Sequence, residues 1–129
     1  MKINKLNRLF LLAGLSVCLT NAANAQNNET LLLRSPAVSN NNLAFVYGGD
    51  IWISDLNGSN PRRLTINPAV EQSPVFSPNG KFIAFTGNYD GNNDIYVIPI
   101  EGGAPKRVTY HPSADLVKGW LSNDELYFT

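Results

Sequence analysis

The sequence predicts an all-β fold made of β-propeller blades, on three observations. A segment is spelled twice at a spacing of 40 to 44 residues, each copy consists of short β-branched and aromatic runs separated by turn residues, and no window sustains helical periodicity. Four short antiparallel strands recurring at that period are the unit of a propeller. A sandwich with accidental self-similarity would not keep so many matches in order. The chain holds about two and a half such units, an incomplete propeller.

Residues 1–25 are set apart as a signal peptide. Lys2, Lys5 and Arg8 precede a short apolar run from Leu9 to Leu19, and Ala23-Asn24-Ala25 supplies small residues for cleavage before Gln26. The run is too short for a membrane span, which needs about 20 apolar residues. Cys18 follows Val17, where a lipid-attachment site would need a small residue. Cleavage removes this single cysteine, so the mature chain has no disulfide of its own and must be held by packing. The expected location is the periplasm or the medium, with no membrane anchor after cleavage. Without the leader, seven Lys and Arg stand against ten Asp and Glu, and no basic patch suits nucleic acid.

Residues 26–129 are read as the N-terminal part of a propeller domain. The first copy runs from Pro36 to Pro68, the second from Pro74 to Pro112, and a third begins near Val117. Ala44-Phe45 matches Ala84-Phe85, Asp50-Ile51-Trp52-Ile53 matches Asp94-Ile95-Tyr96-Val97, and Pro61-Arg62-Arg63-Leu64-Thr65 matches Pro105-Lys106-Arg107-Val108-Thr109. The offset grows by four residues in the turn between the first two pairs, where a sheet tolerates insertion. Leu126-Tyr127-Phe128 stands in the place of Ile83-Ala84-Phe85. In the second copy the expected strands are Val75 to Ser77, Phe82 to Thr86, Asp94 to Ile98 and Lys106 to Thr109, with the middle two central and apolar on both faces. Ser77-Pro78-Asn79-Gly80 is a turn, since proline presets φ at its first corner and Asn-Gly tolerates the conformations of the next two positions. A ring needs at least about four blades to close, so the chain is expected to be a fragment of a longer protein and poorly folded without the missing blades.

"FSPNGKFIAFTGNYDGNNDIYVIPIEGGAPKRVTYHP" with "VKGW" resembles the N-terminal propeller of tricorn-type serine peptidases, and "LAFVYGGDIWI" resembles its opening blade. The resemblance covers roughly Leu33 to Thr129. The core Phe76-Ser77-Pro78-Asn79-Gly80-Lys81 with Ile83-Ala84-Phe85 is shared with TolB-like propellers. Asn79 stands where aspartate is usual, and Asn40-Asn41-Asn42 replaces the Ser-Pro-Asp-Gly turn in the first copy. The resemblance implies a propeller that filters peptides toward a catalytic domain elsewhere in the protein. The implied partners are peptides or unfolded polypeptides, the rest of the propeller and that downstream domain. The alternative is a TolB-like scaffold for protein partners, without catalysis. The long turn "GNYDGNND" and the link "TYHPSADLVKGW" favour the peptidase reading.

No catalytic, cofactor-binding or metal-binding residue is assigned. His111, Ser113 and Asp115 have the residue types of a hydrolytic triad, but triad members come from separate segments, and these share one loop. Asp90, Asn92, Asp94 and Glu101 match four ligand positions of a calcium loop, yet its obligatory glycine is replaced by Ile95. Phe45 and Phe85, and Trp52 with Tyr96, are read as blade-to-blade core rather than ligand platforms. Arg62-Arg63 and Lys106-Arg107 are read as a solvated outer strand, with a charged rim for peptide carboxylates as the competing reading. Export with cleavage after Ala25 is the expected outcome for the leader. Mass spectrometry of protein from the periplasm or medium should show a chain starting at Gln26, and an intact Met1 terminus on membrane-bound protein would overturn it.

Overall fold

The computed structural model describes residues 32–129, so the expected signal peptide lies outside the described residues. The first sheet runs β1 (Arg34–Val38), β2 (Asn42–Tyr47), β3 (Asp50–Asp55), β4 (Arg62–Arg63), with each strand beside the next. The second runs β5 (Glu71–Phe76), β6 (Phe82–Gly87), β7 (Asp94–Pro99), β8 (Lys106–Arg107) in the same order, and β9 (Val117–Trp120) pairs with β10 (Leu126–Phe128) in a third. Every pairing is antiparallel, the pattern of propeller blades.

The registers repeat with the sequence. Trp52 opposes Arg63 and Ile53 opposes Arg62 in the first blade, while Tyr96 opposes Arg107 and Val97 opposes Lys106 in the second. The four extra residues fall in the turn between second and third strands. Gly48 and Gly49 alone connect β2 to β3, both at positive φ (63° and 92°), which is the two-residue hairpin turn that matches strand twist. Six residues, Asn88 to Asn93, make the same connection in the second blade. Leu126 pairs with Trp120 as Ile83 pairs with Phe76, so Leu126-Tyr127-Phe128 does occupy the position of Ile83-Ala84-Phe85.

All four strands of the second blade differ from the expected limits: β6 and β7 each run one residue further, to Gly87 and Pro99, and the inner and outer strands differ more. The inner strand of the second blade begins at Glu71 rather than Val75 and ends at Phe76 rather than Ser77, because the ladder continues through a bulge: Glu71 and Gln72 pair with Gly87 and Thr86, then the register shifts before Val75. Ser73 sits in the bulge at φ 55° with Pro74 after it, and Ser35-Pro36 repeats the device at φ 50° in β1. A bulge is where a strand accepts a proline, which has no N–H to give the ladder. The outer strand stops at Arg107 rather than Thr109. The Val108 backbone still donates to Ile95 O (2.7 Å), but Ile95 N–H is taken by the Thr109 hydroxyl (3.0 Å), which ends the backbone ladder.

The first turn of each of the first two blades keeps one bond pattern despite different sequences. Ser77 Oγ accepts the Phe82 N–H (3.0 Å) and Ser39 Oγ accepts the Asn42 N–H (3.0 Å). Asn79 Oδ1 accepts the Lys81 N–H (3.0 Å), a bond for which the usual aspartate would also use a side-chain oxygen.

The main core lies between the first two blades. Ala44, Val46, Ile51, Ile53 and Leu64 meet Ile83, Phe85, Tyr96 and Ile98, and the opposite face of the second blade packs Ala84 and Ile95 on Val117. Alternate residues of β6 therefore point to different neighbours, and both faces are apolar because both are covered. Phe85 is fully buried and stacks on Tyr96 with centroids 5.8 Å apart, whereas Phe45, on the far face of the first sheet, is only half-buried. Phe85→Ala should cost about 3–5 kcal/mol and Phe45→Ala clearly less. Urea unfolding of both variants checks this, and equal losses would contradict a core centred between the first two blades.

Candidate functional site

The inner strands β1, β5 and β9 lie side by side. In a propeller the first strand of each blade borders the central channel. Arg34, Gln72 and Lys118 are exposed along these strands, so the wall is polar at β5 and β9, while β1 also exposes Pro36 and Val38. The links between blades and the turn Asn88 to Asn93 gather at one end of this wall, and one polar arrangement recurs there.

Each of the first two blades has an Asp-Ile at the start of its third strand and an Arg-x-Thr at its fourth. Arg63 pairs with Asp50 at 2.7 Å and Arg107 with Asp94 at 2.6 Å. The Nε of each arginine donates to the carbonyl of the threonine two residues on (Arg63 to Thr65, 2.9 Å; Arg107 to Thr109, 2.8 Å). The threonine hydroxyls accept the isoleucine N–H groups (Ile51 to Thr65, 2.9 Å; Ile95 to Thr109, 3.0 Å). Asp94 is fully buried and Asp50 nearly so, and a buried carboxylate is tolerated only when paired and hydrogen-bonded in this way. The arginine that meets the need is the second of each basic pair. Arg63 and Arg107 are held by carboxylates and are not free to serve a charged rim, although Arg63 stays exposed like Arg62 and Lys106, and only Arg107 is part-buried.

Glu71, the first residue of β5, carries this arrangement from one blade to the next. It is fully buried; Oε2 accepts the Ile51 N–H (3.0 Å) and the Thr65 hydroxyl, and Oε1 accepts the Tyr89 hydroxyl. Its backbone N–H donates to Gly49 O (2.8 Å). One carboxyl thus joins both ends of the first blade's outer hairpin to the long turn of the second. Burial raises the Glu71 pKa above the ordinary glutamate range, with the nearby Asp50 charge adding to it, against the three donated hydrogen bonds. Burial and the Glu71 contact likewise push the Tyr89 phenol up. Gly87 lets the Tyr89 ring fold back, since a Cβ there would lie 3.1 Å from Tyr89 and 3.2 Å from Tyr96.

The corresponding residue in the third blade is Asp115, whose N–H donates to Asn93 O (2.8 Å) as that of Glu71 does to Gly49 O. His111 and Ser113 lie before it in the link, and His111 Nδ1 accepts the Ser113 backbone N–H (3.1 Å). Asn92 ties the same link by donating to His111 O (2.8 Å) and Ser113 O (3.3 Å). Asp90 and Asp94 both contact Arg107, at 3.2 and 2.6 Å, so the cation between these carboxylates is a guanidinium. Glu71 escapes a reading of the sequence alone, because it lies before the start of the second copy at Pro74. The available clue is an acid three residues before that proline.

Residues 30–129 match the tricorn protease N-terminal β-propeller domain. The chain belongs to that family. The tricorn-like protease N-terminal subunit of Sulfurisphaera tokodaii is 35% identical over 95 residues, which is 70% of this chain and 48% of the relative. The Tol-Pal system protein TolB of Desulfosudis oleivorans is 31% identical over 70 residues, 51% of this chain and 16% of the relative. Among solved structures, that of the tricorn protease superposes with a TM-score of 0.55 at 25% identity, over 67% of this chain and 10% of that one. The chain thus spans about half or less of the length of the relatives it matches.

The blade joint built on Glu71 has a pH signature. A raised folded-state pKa means that the joint's contribution is fully present below the ordinary glutamate pKa and is lost as pH rises through the folded value. Glu71→Gln keeps the neutral shape and does not titrate. The variant should therefore gain on the wild type as pH rises from about 4 to about 7. Urea midpoints at the two pH values check it, and a gap that stays constant would contradict the raised pKa.

Proposed function

We propose that this chain is the substrate-entry part of an exported tricorn-like peptidase, passing extended polypeptides toward a catalytic domain elsewhere in the protein. The observation that carries the reading is the family match over residues 30–129, joined to an inner-strand wall that is polar at β5 and β9. Extended chains suit such a wall because Gln72 and Lys118 can hydrogen-bond passing backbone without gripping one side chain. A groove of about 650 Å³ between the outer strands of the second blade and β10, lined by Phe82, Val97, Val108, Trp120, Leu126 and Phe128, supports further blade strands as the neighbour on that side. The similarity to TolB favours the second reading, a scaffold for folded protein partners; in sequence it spans 51% of this chain against 70% for the tricorn-like subunit, while in fold the solved TolB structures cover this chain at least as fully as the tricorn protease does.

The reading predicts binding without turnover. A fluorescently labelled, reduced and carboxymethylated polypeptide should show saturable anisotropy with the chain, and mass spectrometry should find it uncut. Binding only to folded proteins would favour the scaffold. Cleavage lost on His111→Ala would overturn the non-catalytic assignment of the link.

A further inference from the structure

At the channel end of the second blade lies a recess of about 400 Å³ lined by Pro68, Ala69, Val70, Gln72, Asn88 and Asn93. It has no charged lining residue, and its polar side chains are all carboxamides. Asn88 Nδ2 donates to Asn93 Oδ1 (3.1 Å). That bond uses one donor group and one acceptor of the pair. Among the described residues, Asn88 Oδ1 and Asn93 Nδ2 make no hydrogen bond, so the linked pair of amides keeps one carbonyl and one N–H group free. A residue in an extended chain turns its own N–H and C=O to the same side and so offers the complementary donor and acceptor. Gln72, exposed on β5, adds a third carboxamide on the channel side, and Val70 is 63% exposed at the rim.

The recess is held in shape from three sides. Asn88 N–H donates to Val70 O (3.4 Å), Asn93 O accepts the Asp115 N–H (2.8 Å), and Asn92 binds the His111 and Ser113 carbonyls. Both neighbouring links therefore fix the turn that carries the amide pair. Fixed donors and acceptors bind at lower entropic cost than mobile ones.

We infer that Asn88, Asn93 and Gln72 form a subsite for the backbone of an extended, uncharged polypeptide segment, with Val70 and Ala69 receiving a small apolar side chain. The volume is within the range of ligand clefts and fits a short stretch of chain rather than a folded domain. Backbone recognition by amides is indifferent to side-chain sequence, as an entry module for varied substrates requires. The inference rests on the peptide-entry reading and adds to it the residues and the chemistry that would be recognised.

The probe is an N-acetylated, C-amidated nonapeptide of Ala, Thr and Leu, compared with the same peptide N-methylated at alternate residues. Asn93→Asp keeps the acceptor for Asn88 and the side-chain shape but removes the free N–H group; Gln72→Ala lies on an exposed strand position and does not enter the core. Titration calorimetry should show binding of the unmethylated peptide, weakened about 5-fold or more by Asn93→Asp, by Gln72→Ala and by N-methylation. Near-ultraviolet circular dichroism of each variant should match the wild type. Should the peptide bind with all three changes leaving Kd within about 2-fold, the subsite is wrong and the entry reading stands. Should neither this peptide nor the unfolded polypeptide bind a wild-type chain that unfolds cooperatively in urea, both are wrong.

Discussion

A β-sheet with apolar side chains on both faces cannot stand alone in water, and this constraint governs the molecule. β6 shows it most plainly. Ile83 and Phe85 point to the first blade and Ala84 to the third, and all three are fully buried. Each large aliphatic or aromatic side chain left exposed would forfeit about 1.5–3 kcal/mol, a large share of a domain's net stability of about 5–15 kcal/mol. The blades are therefore stabilised by their neighbours more than by their own hydrogen bonds. The second blade, covered on both sides, has the most buried strands, while the far face of the first keeps Phe45 and Trp52 only half-covered.

Apolar packing fixes which faces meet but does little to set how far one blade slides past the next, because it is not directional. The buried polar joint supplies that restraint. Glu71 must reach the Ile51 N–H, the Thr65 hydroxyl and the Tyr89 hydroxyl together, and only one relative placement of the two sheets allows all three. Arg62, otherwise exposed, adds a bond to the Ile100 carbonyl across the same interface. A misplaced interface would leave a buried carboxyl with unmet hydrogen bonds, which is costlier than imperfect packing. The polar joint thus also defines where the links and the long turn stand relative to the inner strands, and so the shape of the wall they form.

Legibility in the sequence divides along the same line between local apolar pattern and polar contact across elements. Strands that alternate or run apolar, Phe82 to Phe85 and Ile95 to Ile98, announce themselves through local pattern, as do the Gly48-Gly49 and Pro78-Asn79-Gly80 turns. Self-alignment of the chain fixes the register because matched residues must sit at matched places in a repeat. The inner-strand bulges were not legible, since Ser73-Pro74 reads locally as a break, and only pairing with Thr86 on one side and Ala84 on the other shows that the strand passes through it. The basic pairs lie on a solvated outer strand as read, with Arg62, Arg63 and Lys106 exposed, but nothing in Arg62-Arg63 says which member reaches a carboxylate until Asp50 is brought alongside by the β3–β4 pairing. The amide recess is assembled from a link, a strand and a turn, and no single window of sequence contains it.

The two blade joints also differ by one methylene, with consequences for the molecule's order of rigidity. Asp115 takes the place of Glu71 and keeps its backbone bond, but the shorter side chain leaves Oδ2 buried without a partner while Ile95 N–H relies on Thr109 alone. The second interface also has the smaller apolar cluster, Ala84, Ile95 and Val117, against nine buried residues in the first. Compensation comes from elsewhere: Thr86 Oγ1 accepts the Val117 N–H (3.1 Å) and Trp120 Nε1 donates to Val75 O (3.1 Å). These bonds attach the third sheet through the inner strand rather than through the outer hairpin. The first two blades therefore form the firmer unit, and the turn from Asn88 to Asn93, anchored to the links on both sides, is where a shift of the third sheet would first be felt.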